Sequence, residues 1–332
     1  MKLKTIAFFE VSHDEEKFFK TKLARHNLIF FDQSLKKNSA SSICDAEILC
    51  IFIYSQITRE ILDNLPNLKY IITRSAGYDH IDLKACKQKG IQVLRVPAYG
   101  VNTVAEHTFA LLLSLSRKVH NSYLRTRQGE FSLQNLQGFD LAGKTLGIIG
   151  LGNIGKRVAE IGRCFQMKVI AYDLFKDKKF AQQKNISYVT LRQLFRSADV
   201  LTLHCNYTKK NHHLINKKSL SLMKKNAVII NTARGSIVDT HALVEAIRQN
   251  KIGGAGLDVL EEEYLIKEEP ALLKKPIEKS FQNTIKKLLD EENVIVTPHN
   301  AFNSIESSHK IMNTTIENVF CAIENKYCEN RV

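Results

Sequence analysis

No apolar stretch in this 332-residue sequence approaches the roughly 20 residues that a membrane-spanning helix needs. The cysteines are few and scattered, at positions 44, 50, 86, 164, 205, 321 and 328, with no Cys-x-x-Cys pair. That spacing excludes a disulfide framework and a zinc knuckle, and predicts reduced, mostly buried thiols and no metal site. Internal repeats and low-complexity tracts are missing too, so a solenoid or a tandem array is not expected. The first ten residues turn acidic at Glu10, too early for a secretory leader; together with the thiols this predicts a cytoplasmic location. Acids are in deficit, 34 against 48 Lys and Arg. The imbalance is steepest over residues 101–200, which hold 7 acids and 15 basic residues, and a positive field there favours anionic small molecules. Neither a basic helical stripe nor an aromatic–basic interleaving accompanies it, so nucleic acid is not the expected partner, and neither is a membrane.

What is present begins with Leu146–Ile149, an apolar run that leads directly into Gly150-Leu-Gly152-Asn-Ile-Gly155 and then into Lys156-Arg-Val-Ala-Glu-Ile. Strand, glycine turn and helix in that order form a dinucleotide-binding context. Gly150 permits the tight turn, Gly152 lets backbone approach a pyrophosphate, and Gly155 lets helix pack on strand. The helix start, with Asn153 and Ile154, offers N–H groups to phosphate. A second apolar run, Lys168–Tyr172, ends in Asp173, 18 residues after Gly155, close to the position of the acid that binds ribose hydroxyls. Lys176-Asp-Lys-Lys179 follows as a solvated turn, with cations near where a 2′-phosphate would lie, so NAD is favoured over NADP without strict exclusion.

Apolar runs alternate with polar, helix-like stretches along the whole chain. Within the first hundred residues they cover 5–9, 28–31, 48–53, 70–73 and 91–96, and beyond the glycine turn they recur at 199–204, 226–232, 255–259 and 293–297. This alternation predicts parallel sheets built of βαβ units. Thr103 and Glu106 have the spacing of a capping box, so a helix is expected to begin there. Its apolar residues cover more than one stripe, the mark of a helix buried or lying between domains or subunits. His107, inside it, is read as structural. Residues 261–292 are charge-dense in both signs, and a helix is expected from Ser304 to about Tyr327.

Ligands of open parallel sheets lie beyond the carboxyl ends of the strands. Ala76-Gly77, after the fourth run, offers backbone N–H groups to a carboxylate there, or forms an ordinary turn with Gly77 at positive φ. Arg234, Glu263 and His299 each follow a predicted strand of one sheet. Together they supply what reduction of a 2-oxo acid requires. A guanidinium grips the carboxylate and polarises the carbonyl, an imidazolium gives the proton, and a carboxylate orients the imidazole. Equally, Arg234 could be a surface ion-pair partner, Glu263 part of a solvated acidic run, and His299 a turn residue after Pro298.

Taken with Asn231-Thr-Ala-Arg-Gly-Ser-Ile-Val-Asp239, Gly256-Leu-Asp-Val-Leu-Glu-Glu-Glu263 and Thr297-Pro-His-Asn-Ala-Phe302, the glycine turn resembles that of the NAD-dependent D-2-hydroxyacid dehydrogenases, over nearly the whole chain. The resemblance implies two doubly wound parallel-sheet α/β domains. A Rossmann-type NAD-binding domain (102–298) would be inserted into a flavodoxin-like substrate domain (1–101 and 299–332), with the C-terminal helix returning to the first hundred residues. It also implies Arg234 as substrate ligand, Glu263 as the acid paired with the histidine, and His299 as general acid/base. NAD would be held by Gly150, Gly152, Asn153, Ile154, Gly155, Asp173, His204, Cys205, Asn206, Thr232, Ala233 and Asp258. Substrate would meet Phe52 or Tyr54, Ala76, Gly77, Tyr99, Arg234 and Phe302. Val96-Pro-Ala-Tyr99 and Pro298-His-Asn-Ala-Phe302 look most like the D-lactate dehydrogenase branch, with Tyr99 and Phe302 around a methyl-sized side chain. Homodimers are typical of the family. The chain departs from the pattern at Tyr264, at Asn206 (both commonly Pro), and in the 270–292 excursion. Other expected readings are a dehydrogenase for a branched, aromatic or phosphorylated 2-oxo acid, and an NAD-sensing corepressor-like protein, against which the lack of long disordered flanks speaks.

Overall fold

The computed structural model describes residues 3–261, 263 and 279–332. Tyr264 and the 270–278 part of the excursion lie outside the described residues. The chain divides into two compact units, one of residues 1–99 and 304–332 and one of 100–303. These boundaries put His299 and Phe302 in the second unit, where the sequence reading started the returning segment at 299.

In the first unit, β1 (Thr5–Phe8), β2 (Asn27–Phe30), β3 (Ile48–Ile51), β4 (Tyr70–Thr73) and β5 (Gln92–Leu94) form an all-parallel sheet in the order β2-β1-β3-β4-β5. That is the flavodoxin-like order, which reverses between β1 and β3. β3 and β4 are buried at every residue, as strands covered by helices on both faces must be. The helix Ile305–Glu324, capped by Ser304, places Ile316, Val319 and Ala322 against Ile6, Phe8 and Tyr70. The expected return of the C-terminal helix is thus a packing fact.

The second unit holds β6 (Thr145–Ile149), β7 (Lys168–Tyr172), β8 (Ser187–Tyr188), β9 (Val200–Leu203), β10 (Val228–Asn231), β11 (Gly254–Leu257) and β12 (Val294–Val296), in the order β12-β11-β10-β9-β6-β7-β8. All its described pairings are parallel, and the order reverses between β6 and β9 in the Rossmann manner. β8 was not anticipated; at two residues it carries no periodicity to read.

Two helix expectations need correction. The helix expected from Thr103 runs Val101–Ser116 with Gly100 at its N-cap and no capping side chain. Thr103 and Glu106 lie inside it, because the Gly100 carbonyl already accepts the Val104 N–H at 2.9 Å. It is buried within the second unit, where Leu111 and Leu115 face Gly256 of β11 and Phe109 faces Gly162 of the helix Asn153–Cys164; this accounts for its broad apolar surface. The solvated turn at 176–179 is a turn only as far as Asp177, whose carboxylate caps a helix Lys178–Gln183.

Candidate active site

The three glycines of the turn meet three different surroundings. Gly150 has φ +94, and a side chain there would collide with the His204–Cys205 peptide at 2.6–2.8 Å. A Cβ at Gly155 would lie 2.0 Å from the Gly150 carbonyl, so helix and strand touch through its missing side chain. Around Gly152 a Cβ meets nothing within 4 Å. The protein's own packing therefore explains the first and third glycines, and leaves open space beside the second. Gly152 is the N-cap of Asn153–Cys164 and no side chain caps that helix, so its first N–H groups point outward with the positive end of the helix dipole. Asp173 closes the turn: its Oδ2 accepts from Leu151 N at 2.6 Å and its Oδ1 from Phe175 N at 2.9 Å. An uncapped helix start, an unfilled glycine and an acid beside them fit an adenine dinucleotide.

His204 and Cys205 follow β9, across the switch point from the glycine turn. The His204 Nε2 lies 2.8 Å from Thr202 Oγ1, its Nδ1 is buried without a partner among the described residues, and burial pushes the imidazole down to about 3. This ring stays neutral, and the contribution of 204–205 to the turn is its backbone beneath Gly150. Burial raises the Cys205 thiol. Asn206 is exposed and its carbonyl accepts from Asn211. Thr232 lies 3.1 Å from Thr108 through their hydroxyls, and Ala233 is buried.

Arg234, Glu263 and His299 follow β10, β11 and β12, which are neighbours in the sheet. His299 Nδ1 lies 2.5 Å from Glu263 Oε1, and Glu263 Oε2 accepts from Leu260 N at 3.2 Å. Arg234 donates to the Ala233 carbonyl at 2.7 Å and its own carbonyl accepts from the Asn231 side chain at 2.9 Å. The next residue, Gly235, is pressed on Leu260: a Cβ there would lie 2.0 Å from that backbone. The missing side chain lets the arginine turn seat directly against the segment that carries the glutamate. The Phe302 ring stands edge-on to His299 with centroids 6.4 Å apart.

His299 has φ +53, a left-handed conformation costing roughly 1–2 kcal/mol for a side-chain-bearing residue. Asp258 offsets that cost. It is 1% exposed and accepts Asn300 N at 2.8 Å on Oδ1, Ala301 N at 2.8 Å on Oδ2, and the Thr297 hydroxyl at 2.5 Å. Hydrogen bonds to a charged group contribute about 1.5–3 kcal/mol each, so together they outweigh the strain. Burial works to raise the Asp258 carboxyl, but His107, Thr297, Ala301 and Asn300 together hold it below its ordinary value. His107 Nε2 lies 3.1 Å from Thr297 Oγ1 and 3.4 Å from Asp258 Oδ1. Its structural role is thus to brace the turn that carries His299. Sequence reasoning gave Asp258 a place near the cofactor but missed this bracing, for which the only signals were a histidine and a threonine 190 positions apart.

In the first unit Ala76 and Gly77 follow β4, and Gly77 does not take the positive φ expected of it in an ordinary turn. Ser75 Oγ donates to the Gly77 carbonyl at 2.6 Å and Arg95 to that of Ala76 at 3.4 Å. Phe52 and Tyr54 follow β3, half-buried, with their N–H groups bonded to the Glu10 carboxylate at 2.9 and 2.8 Å. The Tyr99 carbonyl accepts from Ser307 at 3.2 Å. Among the described residues no three His, Cys, Asp or Glu side chains gather as a metal site would require, and no helix is long and apolar enough to cross a membrane.

Comparison with known proteins agrees with this geometry. Residues 109–301 match the family model described as D-isomer specific 2-hydroxyacid dehydrogenase, NAD binding domain. A 2-hydroxyacid dehydrogenase homolog of Haemophilus influenzae is 38% identical over 331 residues, 98% of each chain. The D-lactate dehydrogenase of Escherichia coli is 36% identical over 307 residues, 92% of each. The solved structure of an Aquifex aeolicus D-lactate dehydrogenase, complexed with NAD and lactic acid, superposes with a TM-score of 0.89 at 37% identity over 96% of each chain.

Proposed function

Because the chain belongs to the NAD-dependent D-2-hydroxyacid dehydrogenase family, we propose that its substrate is pyruvate, which it reduces to D-lactate. The observation that carries this reading is the His299–Glu263 pair at 2.5 Å with the Phe302 ring beside it: an oriented proton donor next to an apolar wall suited to a methyl group.

In this reading Gly150, Gly152, Asn153, Ile154 and Gly155 hold the pyrophosphate and Asp173 the ribose hydroxyls. The backbone of His204–Asn206, with Thr232, Ala233 and Asp258, supports the nicotinamide end. Bound NADH supplies the hydride. Arg234 holds the substrate carboxylate and polarises its carbonyl, and the backbone of Ala76 and Gly77 takes a carboxylate oxygen. Glu263 fixes the His299 ring through Nδ1, so the proton passes from Nε2 to the carbonyl oxygen as that oxygen gains charge. In lactate oxidation the same nitrogen receives the proton. Phe52 or Tyr54, Tyr99 and Phe302 are each assigned to the methyl side of the substrate. We also assign a cytoplasmic location, supported by seven free cysteines. A homodimer completes the assignment, supported by the exposed apolar residues Val119, Tyr123, Leu124, Phe131 and Leu133. Fractionation and sedimentation test these two.

The test of the activity is NADH oxidation against pyruvate and against branched, aromatic and phosphorylated 2-oxo acids. Pyruvate is expected to give the highest kcat/KM. A higher value for any other acid would overturn the substrate, and tight NADH binding without turnover of any of them would point to the corepressor-like role.

A further inference from the structure

In the first unit the strand order reverses between β1 and β3, so the carboxyl ends of these two strands frame the position where ligands of such sheets bind. Glu10 stands just beyond β1. It has φ +59, a conformation uncommon for a residue other than Gly, Asn or Asp. Its carboxylate is directed at the loop after β3, where it accepts Phe52 N at 2.9 Å, Tyr54 N at 2.8 Å, Ser55 N at 3.2 Å and Ser55 Oγ at 2.6 Å. One acid thus satisfies three amides of the 52–55 loop and a hydroxyl. Ser55 is wholly buried and its Oγ also receives Leu35 N at 2.9 Å, which fixes the far end of the loop.

The strained Glu10 backbone is secured from the other side by Arg74. This guanidinium is 2% exposed. It donates through Nη2 to the carbonyls of Phe9 and Glu10, and through Nη1 to Glu15 at 2.5 Å, and it lies 5.4 Å from the centre of the Phe52 ring. A buried arginine over an aromatic face orients both groups. Glu10 therefore holds the backbone of the 52–55 loop, while Arg74 holds the Glu10 turn and the ring of Phe52. Replacing the carboxylate would strand partly buried N–H groups, which then move to find other partners.

We propose that Glu10 and Arg74 are positioning residues for substrate selection, setting the place of Phe52 and Tyr54 and so the size of 2-oxo acid accepted. This rests on the assignment of those two aromatic residues to the substrate in the preceding section. Glu10→Gln, which keeps one acceptor oxygen, and Glu10→Gly, which keeps none but relaxes the backbone, separate the carboxylate from the strain. Both variants should lose about tenfold in kcat/KM for pyruvate, the scale of a misfitted small pocket, chiefly through KM. The preference for pyruvate over a branched or aromatic 2-oxo acid should narrow by a similar factor, with NADH affinity unchanged. Ser55→Ala, which removes one of four donors, should move the same ratio less. Hydrogen exchange at the Phe52 and Tyr54 amides should quicken in Glu10→Gln, and this arm does not depend on activity.

An unchanged selectivity ratio in folded Glu10 variants would overturn the proposal. So would unchanged amide exchange. Should the Glu10 variants fail to fold, an unchanged ratio in Ser55→Ala would decide against it. If the wild-type chain turns over no 2-oxo acid at all, the substrate assignment fails instead, and the exchange arm still decides whether Glu10 holds the loop.

Discussion

The first strand of each sheet leads to a helix, and the two corners are built in opposite ways. After β1 the chain turns through Glu10 at φ +59, and the helix His13–Lys22 is closed by Ser12 and Glu15 in a reciprocal capping box, with Asp14, Glu15 and Glu16 in its first turn. After β6 it turns through Gly150 at φ +94, and the helix Asn153–Cys164 begins with no capping side chain and no acid. The strand–turn–helix arrangement is the same and the helix dipole is the same. In the first unit the protein supplies the negative charge and the acceptors itself, so nothing anionic is needed there. In the second unit Asp173 accepts only from Leu151 in the glycine turn, and the helix start has no acid and no side-chain cap from the protein. The acids are also used differently. Glu10 serves backbone amides and a hydroxyl, whereas Glu263 pairs with the His299 imidazole.

His299→Ala tests the chemical side of this contrast and should have the largest effect. A general acid contributes about a hundred- to ten-thousandfold, so kcat should fall about a thousandfold while NADH binding persists. Loss of NADH binding would instead make His299 structural. Gly152→Asp would rebuild the second corner in the image of the first. A capping acid beside a pyrophosphate adds like-charge repulsion of several kcal/mol, and NADH should bind about a hundredfold more weakly. Because a Cβ at Gly152 meets no protein atom, the melting temperature should hold or rise; unchanged NADH affinity would show that the pyrophosphate does not pass there.

Acid sharpens the comparison further. The folded His204 imidazole is pushed down to about 3 from 6.5, so the unfolded chain binds a proton in the interval between and the folded chain does not. Its contribution is fully favourable above pH 6.5 and is lost as the pH falls. At pH 5 the loss amounts to about 2 kcal/mol. Urea unfolding at pH 7 and pH 5 should show that difference shrink in His204→Gln; an undiminished difference would place the acid sensitivity elsewhere. The smallest effect is expected from Ser12→Ala, which opens the first corner. Loss of a helix cap costs about 1 kcal/mol, seen as a lower urea midpoint with NADH affinity unaltered. A change in NADH affinity would mean that the two corners are not independent.

Much of the architecture was legible because its signals are local. The apolar runs of the sequence became strands in both sheets, since parallel strands covered on both faces need continuous apolar residues. Asp173 and the glycines were readable from spacing alone. Legibility failed where the folded backbone or a partner outside the motif decided the outcome. Thr103 and Glu106 looked like a helix start, yet the helix opens three residues earlier, with Gly100 rather than Thr103 at its N-cap. His204 reads as a cofactor contact without its orientation; its ring turns to Thr202, which leaves its backbone beside Gly150. Glu10 stands out in the sequence only as an early acid; nothing in the neighbouring sequence pairs it with a loop more than 40 positions away.

The sequence by itself determined the dinucleotide turn and the parallel αβ architecture, because each depends on residues a few positions apart and on burial that any packing of the chain would demand. Only the tertiary structure decided that Glu263 meets His299, that Gly235 seats the arginine turn on Leu260, that Asp258 with His107 and Thr297 holds His299 in its left-handed turn, and that Glu10 carries the 52–55 loop. Those contacts require strands distant in sequence to lie side by side with their carboxyl ends at one edge, and that adjacency is a property of the sheet order rather than of any one stretch of chain.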